Sequence, residues 1–158
     1  MKLLSWSIYH LLELAAYKGF GGTPAASGPV LDPYVVRRTT GVRGETFAYW
    51  YLRRHGYTII ARNFKMPGIK GEIDLIGYDG NVLAFVEVKT RAGMGPVQAL
   101  PEDAVNADKR RHLSRMARQF LADRRISEAR CRFDVVAIES RPGHRPDVRL
   151  HKGAFAYR

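Results

Sequence analysis

Asp74, Glu87 and Lys89 are the residues of this sequence whose types and spacing are best suited to chemistry. Two carboxylates held together in an apolar sheet repel each other and lose hydration, so the pair is costly unless a cation lies between them. Carboxylate oxygens suit a hard divalent cation, and we expect Mg²⁺ or, in its place, Mn²⁺. A lysine next to that cation could orient or deprotonate a water and offset the negative charge that develops on a phosphate.

These residues lie in two β-rich segments, 72–78 and 82–90, which the sequence Asp79-Gly80-Asn81 separates. Asp-Gly between two such segments is the strongest short hairpin signal, so we predict a β-hairpin. The second segment is apolar on both faces apart from Glu87 and Lys89, as is typical of a central strand covered on both sides. The alternative is an ordinary hairpin with a solvated polar face, and the apolar surroundings favour the metal site over it.

The length of the turn decides which side chains meet. Side chains alternate along a strand, so Asp74 occupies one face of the first strand and Glu87 one face of the second. A turn at residues 79–80 would pair Asp74 with Phe85, whereas a turn at residues 80–81 would pair it with Glu87. Both registers leave the charged side chains on the same face, within cross-strand or diagonal reach. A three-residue loop would separate them.

Four stretches of the sequence resemble a known protein family. They are Gly44-Glu45, Ala61-Arg62-Asn63-Phe64, Gly71-Glu72-Ile73-Asp74-Leu75-Ile76 and Phe85-Val86-Glu87-Val88-Lys89-Thr90-Arg91. The pattern Asp…Glu-x-Lys resembles the signature of the restriction-endonuclease-like nuclease superfamily. The longer stretches resemble the YraN-like family of uncharacterised bacterial proteins, which is itself similar to archaeal Holliday-junction resolvases. The likeness covers roughly residues 41–158.

The resemblance implies a role for each residue of the candidate site. Asp74 and Glu87 would bind the metal together with the Val88 carbonyl, and Lys89 would position the attacking water. In the resolvase-like relatives an acidic residue on the first helix completes the metal site, which implies this role for Glu45. A glutamate in the first turn of a helix also complements the helix dipole, so a purely structural role for Glu45 stays open.

The composition bounds the class of protein and its partners. The chain has 158 residues, of which 46% are hydrophobic and 26% charged, as expected for one soluble domain with its own core. Lysine and arginine number 26 against 15 acidic residues, and the formal charge of +11 attracts polyanions. Nucleic acid is therefore the expected partner. The resemblance implies DNA, including branched DNA, and a symmetric homodimer.

The cysteine and the histidines exclude other kinds of site. The single Cys131 allows neither an intramolecular disulfide nor a cysteine-rich zinc site, and it fits a reducing, cytoplasmic location. The five histidines are scattered without a repeated ligand spacing, so no zinc site and no histidine catalysis are expected.

The N-terminal part of the chain differs in composition from the rest. Residues 1–18 have apolar side chains at helical spacing and predict an amphipathic helix that is too short and too polar for stable membrane insertion. Residues 19–38 are rich in glycine and proline and predict a flexible linker. A cleaved signal peptide is the alternative for this region. The nuclease-like domain is expected over residues 39–158.

The first helix of that domain is expected from about residue 42 to residue 55. Thr39 or Thr40 could cap its start, and Gly56 fits its C-terminal end. Glu45 shares a helix face with apolar side chains one and two turns further on, so the pattern points its carboxylate toward the core.

A second helix, predicted over residues 101–125 with Glu102-Asp103 in its first turn, carries a dense run of basic residues. We expect the cations near its start and the arginine just past the candidate site to contact nucleic-acid phosphates. They are Lys109, Arg110, Arg111 and Arg91. Such a run is often no more than a solvated helix face, and this alternative stays open.

The predicted order of elements is α-β-β-β-α-β-β, which indicates an α/β fold with a central mixed β-sheet flanked by helices. This order agrees with a restriction-endonuclease-like core. The leading hypothesis is a magnesium-dependent endonuclease that hydrolyses DNA phosphodiesters. A non-catalytic nucleic-acid-binding accessory protein that retains the nuclease fold is the main alternative, and a metal-stabilised structural domain is a third.

Overall fold

The computed structural model describes residues 2–17, 33–92, 105–127, 130–141 and 143–156. Three helices and five strands lie within these ranges. In chain order they are α1 (Lys2–Tyr17), α2 (Pro33–Arg54), β1 (Tyr57–Met66), β2 (Ile69–Asp79), β3 (Val82–Ala92), α3 (Ala107–Arg124), β4 (Cys131–Ser140) and β5 (Asp147–Phe155). From α2 onward this is the predicted order, and the predicted α/β class is confirmed.

The five strands form a single mixed sheet in the order β1-β2-β3-β4-β5. Strands β3 and β4 are parallel, and the other neighbouring pairs are antiparallel. Parallel neighbours need a crossover connection, and α3 lies between β3 and β4 in the chain to supply it. The central strand of the sheet is β3, which is the strand that carries Glu87 and Lys89.

Helices cover the sheet on both faces and form two separate cores. Leu83 and Phe85 of β3 pack with the apolar face of α3. Ala84 and Val86, which alternate with them, pack with α1 and α2. The predicted apolar stripe of α3 is fully buried and comprises Leu113, Met116, Ala117, Phe120 and Leu121. A strand buried on both faces leaves its charged residues little access to water, so they need oppositely charged or hydrogen-bonding partners.

Helix α1 is present as the sequence predicts and packs by one side only. Tyr9 and Ala16 are buried in the core that α2 shares, whereas Leu11 and Leu14 are exposed. Within the part of the chain that the structure describes, no helix combines the length and the apolar character needed to cross a membrane.

Helix α2 begins earlier than the sequence predicts. Its first residue is Pro33, so Thr39 and Thr40 lie inside the helix and do not cap it. Proline is well suited to the first helical position, because its missing N–H would have no helical partner there. Residues 33–38, which the sequence predicts to be part of the flexible linker, are therefore helical, and residues 18–32 lie outside the described ranges. The helix ends as predicted before Gly56, whose φ is +92°.

Helix α3 begins later than predicted, at Ala107. Asn106 is its N-cap, and the side chain of Asn106 accepts a hydrogen bond from the backbone N–H of Lys109. Asparagine is among the best N-cap residues, and this local bond fixes the start of the helix. The predicted first turn with Glu102-Asp103 lies outside the described residues.

Candidate metal centre

The hairpin between β2 and β3 has one of the two registers that the sequence left open. Asp79 pairs with Val82, so Gly80 and Asn81 form a two-residue turn. Gly80 has a φ of +61°, a conformation that glycine adopts without steric cost. The paired positions run back from this turn to Leu75 and Val86.

Asp74 and Glu87 lie immediately beyond the last paired positions, where the regular pairing of β2 with β3 ends. Glu87 continues the ladder of β3 with β4, opposite Val135. Across β2 and β3, the backbone N–H of Val88 donates to Oδ2 of Asp74 at 2.7 Å. A carboxylate thus takes a backbone donor of the neighbouring strand, which anchors Asp74 beside Glu87.

The two faces of β2 do not alternate regularly around Asp74. Ile73 packs in the core formed with α3, whereas Leu75 packs in the core formed with α1 and α2. Strict alternation would place both residues on the same face. Asp74 lies beside Glu87 as the sequence predicts. The reason differs from the predicted one, because β2 does not alternate regularly at this point.

Burial controls the protonation of Asp74. The side chains of Asp74 and Glu87 are 8% and 4% exposed. The pKa of the Asp74 carboxyl is raised to about 7, first by burial and then by the negative charge of Glu87. The Val88 N–H and the positive charge of Lys109 act in the opposite direction. Near neutral pH and without a cation, Asp74 is therefore partly protonated.

Two lysines from different elements contact the Glu87 carboxylate. Nζ of Lys89 lies 2.9 Å from Oε1, and Nζ of Lys109 lies 3.1 Å from Oε2. Oε2 is buried and has no hydrogen bond in the described structure. The short distance and the missing hydrogen bond are compatible, because an ion pair needs proximity whereas a hydrogen bond also needs alignment. Lys109 thus forms an ion pair with Oε2 but does not donate a well-aligned hydrogen bond to it.

Glu45 is linked to the same region through Asn63 of β1. Nδ2 of Asn63 donates to Oε2 of Glu45 at 2.6 Å. In the β1–β2 ladder, Asn63 falls between the pairs Arg62↔Leu75 and Phe64↔Ile73, which places it opposite Asp74. The charge of Glu45 contributes to the raised pKa of Asp74, so the two carboxylates are within electrostatic reach.

The donor set fits some metals and not others. Among the described residues, no three His, Cys, Asp or Glu side chains are gathered closely enough to hold an ion by themselves. A closed, protein-only zinc or calcium cage is therefore a poor fit. Magnesium commonly uses one or two carboxylates and takes its other ligands from water and substrate phosphates. Asp74 and Glu87, with an open acceptor at Oε2, fit that mode of binding for Mg²⁺ or Mn²⁺.

Comparison with known proteins places the chain in a family. The sequence model of a protein family, described as the uncharacterised protein family UPF0102, matches residues 44–138. This range includes every residue of the site described above. The chain belongs to the UPF0102 family. This confirms the family that the resemblance in the sequence indicated.

Individual UPF0102 proteins match most of the chain. A UPF0102 protein of Koribacter versatilis is 47% identical over 118 residues, which cover 73% of this chain and 78% of that protein. One from Symbiobacterium thermophilum is 47% identical over 118 residues, covering 75% and 97%. One from Nocardia farcinica is 39% identical over 130 residues, covering 82% and 99%. The names of these relatives state no activity, so function rests on the site.

Within this UPF0102 chain, the predicted phosphate contacts have different environments. Arg91 is exposed near the end of β3. Lys109 contacts Glu87, a role that the sequence did not indicate. Arg110 donates from Nε to the Val105 carbonyl at 2.7 Å, and Arg111 is paired with Asp108 one turn away. These contacts neither establish nor exclude binding of phosphates.

Two residues contact the carboxylates of the candidate site in a way that the sequence does not predict. Asn63 lies in a stretch that carries the family resemblance, but no role was predicted for it. Its positive φ of 48°, unusual for a residue other than glycine, is visible only in the structure. Lys109 was predicted as a phosphate contact, and the helical pattern of α3 gives no sign that its side chain reaches β3.

Proposed function

We propose that this UPF0102 chain is a metal-dependent endonuclease that hydrolyses DNA phosphodiesters. The observation that carries the proposal is the buried pair of Asp74 and Glu87 with lysines at 2.9 and 3.1 Å from the Glu87 oxygens. Buried carboxylates are costly, and clusters of them with perturbed pKa values occur mainly at functional sites. The formal charge of +11 supports a polyanionic substrate.

Asp74 and Glu87 would hold Mg²⁺ or Mn²⁺, with Glu45 assisting and the Val88 carbonyl as the further ligand that the resemblance implies. The cation would supply Lewis-acid stabilisation of charge on the phosphate and favour ionisation of water. The Val88 N–H keeps the Asp74 carboxylate in place at 2.7 Å, and ionisation of Asp74 is a requirement for binding the cation.

Lys89 would act directly on the reacting groups. Its side chain is 35% exposed, so its ammonium can leave Glu87 for a water or a phosphate oxygen without crossing the core. There it would orient the attacking water by donating a hydrogen bond and would offset the negative charge that grows in the transition state. Asn63 would act one step away, by holding Glu45 at 2.6 Å.

The substrate and the assembly are finer parts of the proposal. Similarity to resolvases supports branched DNA as the preferred substrate and a symmetric homodimer as the acting form. The single cysteine, Cys131, allows no intramolecular disulfide, which is compatible with a reducing cytoplasm. A fold shared with nucleases does not by itself fix a substrate, so each part needs its own measurement.

A cleavage panel tests the proposal. Labelled four-way junction, flap, nicked duplex, linear duplex and single-stranded DNA are incubated with wild type and Asp74→Asn, in Mg²⁺ and in Mn²⁺. We expect wild type to cut at least the branched substrates and Asp74→Asn to cut none. If wild type binds these DNAs but cuts none of them with either metal, the protein is not this nuclease.

One observation favours the accessory protein as the second candidate function. Both oxygens of Glu87 already have a lysine nearby, and Asp74 is partly protonated near neutral pH. The carboxylate pair is therefore tolerated without a cation, as a non-catalytic nucleic-acid-binding domain would require. Divalent-metal binding in the absence of DNA separates the two candidates, because the accessory protein has no need of it.

A further inference from the structure

Lys109 reaches the candidate metal centre from a different element than the other site residues. Lys89 belongs to β3, two residues from Glu87, whereas Lys109 lies in the first turn of α3. Its Nζ is 3.1 Å from Oε2 of Glu87, and its side chain is 31% exposed. One end of the contact is therefore almost completely buried, while the other has access to solvent.

The position of Lys109 is fixed by the start of α3. The backbone N–H of Lys109 donates to Oδ1 of Asn106 at 2.9 Å, which is the capping bond of the helix. Val105, just before the cap, is fully buried. The backbone of Lys109 is thus anchored, while four methylene groups leave its ammonium free to move by several ångströms.

The Glu87 oxygen that Lys109 contacts is also the open acceptor of the site. Oε2 is buried and makes no hydrogen bond in the described structure, so it is available to a cation of better geometry. A divalent cation and an ammonium cannot both occupy the same side of one carboxylate oxygen at contact distance, because they repel each other there. A metal that binds Oε2 on the side of Lys109 would therefore displace the Lys109 ammonium.

We propose that Lys109 is a built-in counter-cation of Glu87, which a divalent metal displaces and which then contacts a phosphate of the bound nucleic acid. This inference rests on the proposed function and describes how the same site is regulated. Without metal, Lys109 neutralises Glu87 and contributes little to nucleic-acid binding. With metal bound, its charge becomes available to the backbone of the substrate.

The proposal couples metal binding to DNA binding. If metal releases Lys109 for a phosphate, DNA that holds Lys109 away from Glu87 must in turn favour the metal, because the coupling of two binding equilibria is reciprocal. The protein would then assemble its metal site most completely when DNA is present. This would limit cleavage to molecules that carry both ligands.

The first measurement is metal affinity without DNA. Calorimetric titration with Mn²⁺ compares wild type, Lys109→Met and Lys65→Met. Met keeps the apolar stem of lysine and removes the charge. Lys65 is an exposed lysine of β1, 3.5 Å from Glu72, and gives the same change in net charge. We expect Lys109→Met to bind Mn²⁺ at least about fivefold more tightly than wild type and Lys65→Met to match wild type.

The second measurement is the salt dependence of DNA affinity. Anisotropy of a labelled junction is followed from about 50 to about 200 mM NaCl, with EDTA or with Ca²⁺, which takes oxygen ligands as Mg²⁺ does. The slopes of wild type and Lys109→Met should agree in EDTA. In Ca²⁺, the slope of wild type should be steeper than that of Lys109→Met by about one unit, the value of one phosphate contact.

Each outcome decides the proposal. Tighter Mn²⁺ binding by Lys109→Met and a slope difference confined to Ca²⁺ support it. Equal or weaker Mn²⁺ binding, no metal binding by either protein, or an equal slope difference in both conditions overturns it. If Lys109→Met does not fold, Lys109→Gln takes its place. Neither measurement uses cleavage. If wild type binds metal but cuts no DNA, the proposed nuclease activity is wrong, and these two measurements still decide the role of Lys109.

Discussion

Two lysines contact the carboxylate of Glu87, and because they belong to different elements we propose different roles for them. Lys89 follows Glu87 along the same strand, so its place beside this carboxylate does not depend on α3. Lys109 belongs to α3, and we propose that its position depends on whether a metal is bound at Oε2. Asp74 accepts a hydrogen bond from the Val88 N–H and provides the second carboxylate, whose protonation would compete with the proposed metal. These three residues support separate predictions.

Replacing Lys89 should separate binding from chemistry. We expect Lys89→Ala to keep DNA affinity near that of wild type and not to weaken metal binding, because Lys89 is not a metal ligand and losing its charge beside Glu87 can only favour another cation there. Cleavage should fall by about 10²-fold or more, since the lysine acts mainly in the transition state. Single-turnover cleavage and anisotropy measure the two effects, with Lys65→Ala as the control for lost charge. Cleavage at the wild-type rate would remove Lys89 from the mechanism.

The raised pKa of Asp74 predicts how the metal-free protein responds to pH. The folded-state pKa is about 7 and the ordinary value is 3.8, so between them the folded protein holds a proton that the unfolded chain releases. The contribution of Asp74 to stability therefore falls as pH rises from about 4 to about 7, by at most about 1.4 kcal/mol per pH unit.

Asp74→Asn isolates this effect, because the amide can still accept from the Val88 N–H but does not ionise. In EDTA, we expect Asp74→Asn to gain stability relative to wild type between about pH 5 and about pH 8. Urea unfolding at the two pH values measures the difference, and titrating groups that do not interact with Asp74 cancel in the comparison. A difference that is the same at both values would mean that Asp74 has an ordinary pKa.

At the scale of the elements, the close crossing of α2 over β3 positions the carboxylate of Glu45. Gly44 lies next to Glu45 and faces Thr90 of β3, and a Cβ added to Gly44 would lie 1.8 Å from Oγ1 of Thr90. Only a residue without a side chain lets the helix approach this closely. Gly41, one turn earlier in the same helix, has no atom within 4 Å of such a Cβ.

These two glycines give a matched test of the crossing. We expect Gly44→Ala to lower the free energy of unfolding by about 1–3 kcal/mol, because the methyl group forces α2 away from β3. Gly41→Ala should raise it by up to about 1 kcal/mol, since alanine is the better helix former in open space. Chemical denaturation measures both variants. Two changes of the same sign would show that the crossing is looser than described.

At the scale of the whole molecule, two polar regions of the sheet have opposite properties. Beyond the paired part of the hairpin lies the carboxylate pair, with an open acceptor. At the turn of the hairpin, fully buried Asp134 accepts from Tyr57, Arg132 and the Gly153 N–H at 2.8 to 2.9 Å. Arg132 also pairs with Asp79. This second region joins β1, β2, β4 and β5 and has the saturated partners of a structural network.

The two buried aspartates should therefore respond to substitution in opposite ways. We expect Asp134→Ala to lower the free energy of unfolding by about 3–5 kcal/mol, because it leaves Arg132 and Tyr57 without their shared partner. Asp74→Asn should instead stabilise the metal-free protein above neutral pH. Urea unfolding in EDTA at about pH 8 compares them. A loss of less than about 1 kcal/mol for Asp134→Ala would assign little stability to this network.

The sequence by itself determined the order of elements, the hairpin and the neighbourhood of Asp74, Glu87 and Lys89. These features depend on interactions that are short in sequence: the period of apolar residues, the turn chemistry of Asp79-Gly80-Asn81, and the two-residue spacing of side chains on one strand face. The family resemblance added Glu45. Local rules were sufficient wherever the interacting residues lie in one helix or one hairpin.

The tertiary structure alone decided that Lys109 and Asn63 belong to the site, that β2 changes faces at Asp74, and which of the two turns forms. Lys109 meets Glu87 only because α3 packs on the face of β3 that bears Leu83 and Phe85. Asn63 meets Glu45 only because β1 pairs with β2 in one register beneath α2. Such contacts join residues of separate elements, and their geometry is set by the packing of whole helices on the sheet, which no local pattern encodes.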